Sequence, residues 1–207
     1  MLELFKAGGW LMMPLFACSV IAIAIIVERL WSLQSQRISP PELITQIWQW
    51  LRFKQVDEQR IHSLQDNSPL GQILAAGLKN RDCSREVIRE SIEDVGRHVT
   101  ATLAKNLNTL GTIAAISPLL GLLGTVIGMI KVFAVITTEG VGNPETLAGG
   151  ISEALLTTAA GLLVAIPSLI FYRYFRGKIT VLVVDMEEQA MKLVEILHGD
   201  RNFDPDE

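Results

Sequence analysis

Charge is scarce in this sequence. Asp, Glu, Lys and Arg make up 19% of its 207 residues, against about 25% in an ordinary soluble domain. Aromatic residues are few as well, at 6%. There are two cysteines, Cys18 in an apolar run and Cys83 in a polar stretch. They would not meet in one oxidising compartment, so no disulfide framework is expected. The net charge of -4 lacks the basic footprint of a nucleic-acid binder. No His/Cys/Asp/Glu cluster has metal-ligand spacing, and no nucleophile pattern or glycine-rich phosphate loop occurs. An enzyme, a cofactor and a resident metal are therefore not expected. Internal repeats and low-complexity tracts are also missing.

What the chain has instead is apolar length: 49% of it is hydrophobic. A helix needs roughly 20 mostly apolar residues to cross a bilayer. Three runs approach or exceed that length, and they predict transmembrane helices over 10–27, 110–137 and 153–172. Glu28 and Arg29 follow the first run where a signal peptide would need small residues, so it reads as an uncleaved anchor. Between the first two runs stand Arg37, Arg52, Lys54, Arg60, Lys79, Arg81, Arg85, Arg89, Arg97 and Lys105. Arg173, Arg176 and Lys178 follow the third. The connection from 137 to 152 has Glu139 and Glu145 but no basic residue. The positive-inside rule then orients the chain. Residues 1–9 form an outside N-terminal segment, 28–109 a cytoplasmic helical region, 138–152 a short outside hairpin and 173–198 a cytoplasmic helix. The acidic stretch 199–207 is expected to be a disordered tail.

Helix signals fill in the detail. Ser39-Pro40-Pro41-Glu42 reads as a helix start, with Ser39 as cap and Glu42 completing a capping box. Ile44, Ile47, Trp48 and Leu51 follow on one face. Asn67-Ser68-Pro69 breaks the chain, and a new helix starts near Asp82 or Ser84. Its apolar residues, Ile88, Ile92, Val95, Val99, Leu103, Leu107 and Leu110, run into the second span without a stop, which predicts one continuous helix. Asn143 and Pro144 read as cap and first position of another long helix. Past the third span its apolar face continues through Ile179, Leu182, Val183, Met186, Ala190, Leu193 and Leu197, and Gly199 ends it. The inner halves of the two long helices are expected to pack together.

The two later spans sort their residues by size. At about 100° per residue, Gly124, Ser117, Gly128, Gly121, Ala114, Thr125 and Pro118 share one arc of the second span. In the third, Glu153, Thr157, Ser168, Gly161, Ala154, Ala165 and Thr158 share another, with Val164 among them. Large aliphatic residues lie elsewhere on both. Such faces look at protein or water rather than lipid, and Gly124 and Gly128 have the spacing of close helix packing. Pro118 and Pro167 mark kinks. Glu153 has two readings: a residue near the helix dipole at the interface, or an intramembrane carboxylate facing a cavity. Thr125, Thr157 and Thr158 have the plain reading of hydroxyls bonded back to their own helices. Lys131 either snorkels to the outer surface or pairs with Glu153.

These residues resemble a known family. SPLLGLLGTVIGMIKVF (117–133) and GGISEALLTTAAGLLVAIPSLIFY (149–172) are similar to the ExbB/TolQ/MotA proton-channel family. The three-span plan is closest to ExbB or TolQ. The resemblance implies an all-α polytopic membrane protein of the bacterial inner membrane that assembles into a ring, a homo-pentamer. An ExbD/TolR-like single-span partner dimer would occupy its central pore. Proton-motive force would drive a TonB/TolA-like protein toward the outer membrane. Carried over by motif, Glu153, Thr125 and Thr158 would form the proton pathway. Thr157, Ser117 and Lys131 are further pore-lining candidates; the helical wheel places Thr157 nearer Glu153 than Thr158, while the motif selects Thr158. Gly121, Gly124, Gly128 and Gly161 would serve close packing. Lys131 departs from the neutral polar residue the family leads one to expect. A passive scaffold that only holds partner helices is the competing reading, and a solute transporter a third. The transporter lacks the broken helices and repeated halves it would need.

Overall fold

The computed structural model describes residues 9–53, 55–139 and 144–198. Among these, all secondary structure is helical: α1 (Met12–Ser32), α2 (Ser35–Ile38), α3 (Glu42–Arg52), α4 (Glu58–Asn67), α5 (Pro69–Lys79), α6 (Arg85–Leu103), α7 (Leu107–Glu139) and α8 (Pro144–His198). Three stretches are long and apolar enough to cross a membrane: Met12–Ser32, Arg85–Thr138 and Leu147–His198. The expected Asn143 cap, Gly199 stop, acidic tail and residues 1–8 lie outside the described residues.

The chain divides into two compact units. The first draws on Met1–Arg29 and Asn106–Tyr174, the second on Leu30–Lys105 and Phe175–Glu207. In the first unit, α7 and the opening half of α8 form an antiparallel pair, accompanied by α1. Pro118 and Pro167 both sit inside unbroken helix.

The second unit has an ordinary aliphatic core. Its centre is α5, where Leu70, Ile73, Leu74, Ala75 and Leu78 are buried. Ser68 starts this helix by accepting a hydrogen bond from the Gly71 N–H at 3.0 Å, and Pro69 fills the first position, where its missing N–H costs nothing. The break expected at 67–69 is thus the joint between α4 and α5. Gly77 of α5 lies between Ile92 of α6 and Leu193 of α8; an added Cβ would stand 3.1 Å and 3.0 Å from them. Ile88, Ile92, Val99 and Leu103 of α6 are buried, as are Ile179, Leu182, Met186, Ala190 and Leu193 of α8.

Two local expectations are corrected. The helix predicted to run unbroken from 84 into the second span is interrupted. α6 ends at Leu103, and Asn106 takes a left-handed φ of 63° before α7 begins. Asparagine tolerates that region better than other side-chain-bearing residues, so no glycine was needed to stop the helix. The capping box at Ser39 does not form either. Ser39 ends α2, its N–H donating to Ser35 O, and Pro41 caps α3 without a side-chain hydrogen bond. Glu42 is therefore the first residue of the helix rather than the third, and its carboxylate has no box to close.

Candidate functional site

The α7–α8 pair meets along small residues, and the contacts run in opposite directions along the two helices. A Cβ on Gly150 would stand 2.6 Å from Val132 Cγ2, and one on Gly128 2.7 Å from Ala154 Cβ. Gly124 faces Thr157 so closely that any Cβ would collide with Oγ1. Gly121 faces the backbone of Thr157 and Thr158, and Gly161 faces Ser117 O and Gly121 Cα. A Cβ on Gly111 would stand 3.0 Å from the ring of Tyr172. Backbones can approach this closely only where side chains are nearly absent, which is the packing mode of small-xxx-small faces.

The hydroxyls along this seam are satisfied internally. Ser117 is fully buried and donates to Ile113 O at 2.8 Å, one turn back. Ser168 donates to Val164 O at 2.7 Å. Thr125 donates to Leu122 O at 2.7 Å, and the buried Thr157 to Ala154 O at 2.8 Å. Thr158 differs. Its hydroxyl crosses to the other helix and donates to Gly121 O at 2.9 Å. The plain reading of back-bonding therefore holds for Thr125 and Thr157 and fails for Thr158. A hydroxyl can reach the opposite backbone here because Gly121 has no side chain in the way. Thr125 and Thr158 are part-exposed at the edge of the seam, whereas Thr157 and Ser117 lie within it.

Near one end of the seam stands a charged pair. Lys131 Nζ donates to Glu153 Oε1 at 2.8 Å, with 52% of the lysine side chain and 25% of the glutamate exposed. Lys131 therefore pairs with Glu153 instead of only reaching for the surface. Glu153 lies nine residues past Pro144, the start of α8. Thr158 is five residues further on, about 7.5 Å along the axis. Gly9, ahead of α1, also stands beside the carboxylate. Gly9 takes φ 69°, and a Cβ there would collide with Glu153 Oε1. Sequence reasoning missed Gly9 as a neighbour of this group.

A stretch of the chain from 65 to 188 matches the MotA/TolQ/ExbB proton channel family. The chain belongs to this family. It is similar to the ExbB-like biopolymer transport protein 1 of Synechocystis sp., 34% identical over 84% of this chain and 69% of that one. It is also similar to biopolymer transport protein exbB1 of Vibrio cholerae, 32% identical over 81% of this chain and 75% of that one. With the Tol-Pal system protein TolQ of Pseudomonas aeruginosa it shares 28% identity over 90% of this chain and 86% of the other. The part matching the family contains α7, Lys131, Glu153 and the three threonines. Gly9 and α1 precede it. Membership and the three apolar helices make this a membrane transport protein.

Proposed function

We propose that this chain is the pore-forming subunit of an ExbB/TolQ-type motor driven by proton-motive force in the inner membrane. The observation that carries the reading is Glu153: a carboxylate more than two turns inside a spanning helix, three-quarters shielded at the end of a seam of glycines and hydroxyls. Carboxylates in such places mark ion pathways by default. In this reading Thr125 and Thr158 border the same pathway from the seam's edge, with Thr157, Ser117 and Lys131 around it. Five copies form a ring with a largely apolar pore. α7 and α8 line it and α1 faces lipid, with the N-terminus outside and the C-terminus inside. An ExbD/TolR-like partner dimer threads the pore and passes motion to a TonB/TolA-like protein. One charge moved across about 100 mV supplies about 2.3 kcal/mol, enough to bias one helix position over another by more than tenfold. No covalent step is needed.

The scaffold reading also has an observation in its favour, since every threonine hydroxyl of the seam already has a carbonyl partner. Proton flux separates the two. In liposomes containing the chain and its single-span partner, a proton gradient should drive flux in the native pair. Glu153→Ala should abolish it, and Glu153→Gln should lower it by roughly tenfold or more, an energy of about 1.4 kcal/mol. Glu153→Asp should retain part of it. Absence of gradient-driven flux in the native pair leaves the scaffold reading standing, and near-native flux in Glu153→Gln takes Glu153 out of the pathway.

A further inference from the structure

Lys131 is the single Lys or Arg between 107 and 172. Its ammonium stands at hydrogen-bond distance from Glu153 Oε1, the same oxygen that a Cβ on Gly9 would collide with. A carboxylate shielded from water attracts small cations strongly, because the local dielectric is low. A hard metal cation held there would need several oxygen ligands around it. A proton needs one carboxylate oxygen and no shell. An ammonium tethered at 2.8 Å stands where the metal cation would sit.

We propose that Lys131 is a specificity-determining residue: a tethered cation that fills the metal-cation position on Glu153 and keeps sodium off the carboxylate. Its side chain comes from α7 and the carboxylate from α8, so the pair also fixes where the glutamate points. The other acids of this end of the unit, Glu139 and Glu145, stand at the last and second positions of their helices and offer the lysine no pairing recorded among the described residues. The inference rests on the reading of Glu153 as a proton-pathway group, so its test needs a readout independent of flux.

That readout is covalent labelling of Glu153 by dicyclohexylcarbodiimide in proteoliposomes of the full chain, followed by mass spectrometry. Native protein, Lys131→Met and Lys131→Arg are compared in sodium chloride and in choline chloride at equal ionic strength, after native mass confirms the oligomer. Labelling of the native protein and Lys131→Arg should be the same in both salts. In Lys131→Met, sodium should slow labelling several-fold. Where the Met variant does not assemble, Lys131→Gln takes its place with the same expectation. Indifference of the uncharged variant to sodium, or equal protection of the native protein, overturns the proposal. Proton flux with the partner is measured alongside. Absence of flux in native protein with the labelling pattern intact strikes the pathway reading alone. Flux in Lys131→Met that ignores sodium strikes the proposal alone.

Discussion

The two compact units join their helices with different kinds of residue. In the second, the interior is Leu, Ile and Met: Leu70, Leu74, Leu78, Ile88, Met186 and Leu193 are all sealed from solvent. In the first, the contact between α7 and α8 is made of Gly121, Gly124, Gly128, Ala154, Thr157 and Gly161. Val132 and Tyr172 border that contact, but many of its large residues point away from it. Leu119, Leu122, Val126, Ile130 and Phe133 of α7 are exposed, and so are Leu155, Leu163, Ile166 and Ile170 of α8. The same residue types thus form the core of the second unit and much of the outer surface of the first. The difference teaches which solvent each unit is built for. In water, burying Leu and Ile drives folding. In lipid that gain disappears, and association relies on close packing and hydrogen bonds between small residues. The inside-out pattern is the physical mark of a unit meant for lipid and for other protein surfaces.

The comparison can be broken most severely at the aliphatic core. Leu74 is completely buried in α5. Leu74→Ala should cost about 2–5 kcal/mol through lost burial and a residual cavity. Hydrogen exchange should show α5 losing protection while α7 keeps its own. Equal loss in both units would mean that their stabilities are not separable.

The seam should fail in the opposite sense, by adding rather than removing volume. At Gly124 even a Cβ collides with Thr157, so Gly124→Val forces the two helices apart. Overpacking of this kind costs about 1–3 kcal/mol. The expected result is a lower unfolding temperature in lipid nanodiscs and weaker assembly by native mass. The same change at Gly96, where no atom lies within 4 Å of an added Cβ, should have little effect. A tolerant Gly124→Val would contradict close packing as the basis of the seam.

Much of this pattern could be read before any coordinates. The arc of small residues on the second span contains Ala114, Ser117, Gly121, Gly124 and Gly128, all buried in the structure, with Thr125 and Pro118 at its edge. The arc on the third contains Ala154, Thr157, Gly161, Ala165 and Ser168, again all buried. A helical wheel finds such faces because sorting by size is periodic within one helix. It cannot find what depends on two. The Lys131–Glu153 pair spans 22 positions, and the Thr158 hydroxyl bonds to a carbonyl 37 positions away; both are set by the register of the hairpin, which leaves no trace in one helix alone. The turn at Asn106 escaped for a different reason. Its signal is one residue's tolerance for positive φ, set in a stretch whose apolar spacing continues on both sides. α4 was hidden because its sequence is mostly polar and buries only Ile61 and Leu64.

The finest comparison lies within the seam, between Thr125 and Thr158. Replacing either by Val keeps the volume and removes one hydroxyl, so packing should survive and both variants should assemble. Their stability costs should differ. Thr158 bonds across to Gly121 O, and its loss also strands that link between helices; cross-helix hydrogen bonds in membranes average about 0.6 kcal/mol. Thr125 bonds only to Leu122 O of its own helix, a group that already belongs to a helical ladder, so Thr125→Val should cost less. Function should not follow that order. If both hydroxyls border the proton pathway, Thr125→Val and Thr158→Val should lose partner-dependent proton flux alike, despite unequal stability. Thermal unfolding in nanodiscs and flux in liposomes, taken on the same preparations, measure both quantities. Should flux fall only in Thr158→Val, in proportion to its lost stability, the hydroxyls act as fasteners of the hairpin and the pathway narrows to Glu153. Loss of flux in Thr125→Val at unchanged stability places a role on a hydroxyl that holds nothing between helices, an outcome that structural fastening does not predict.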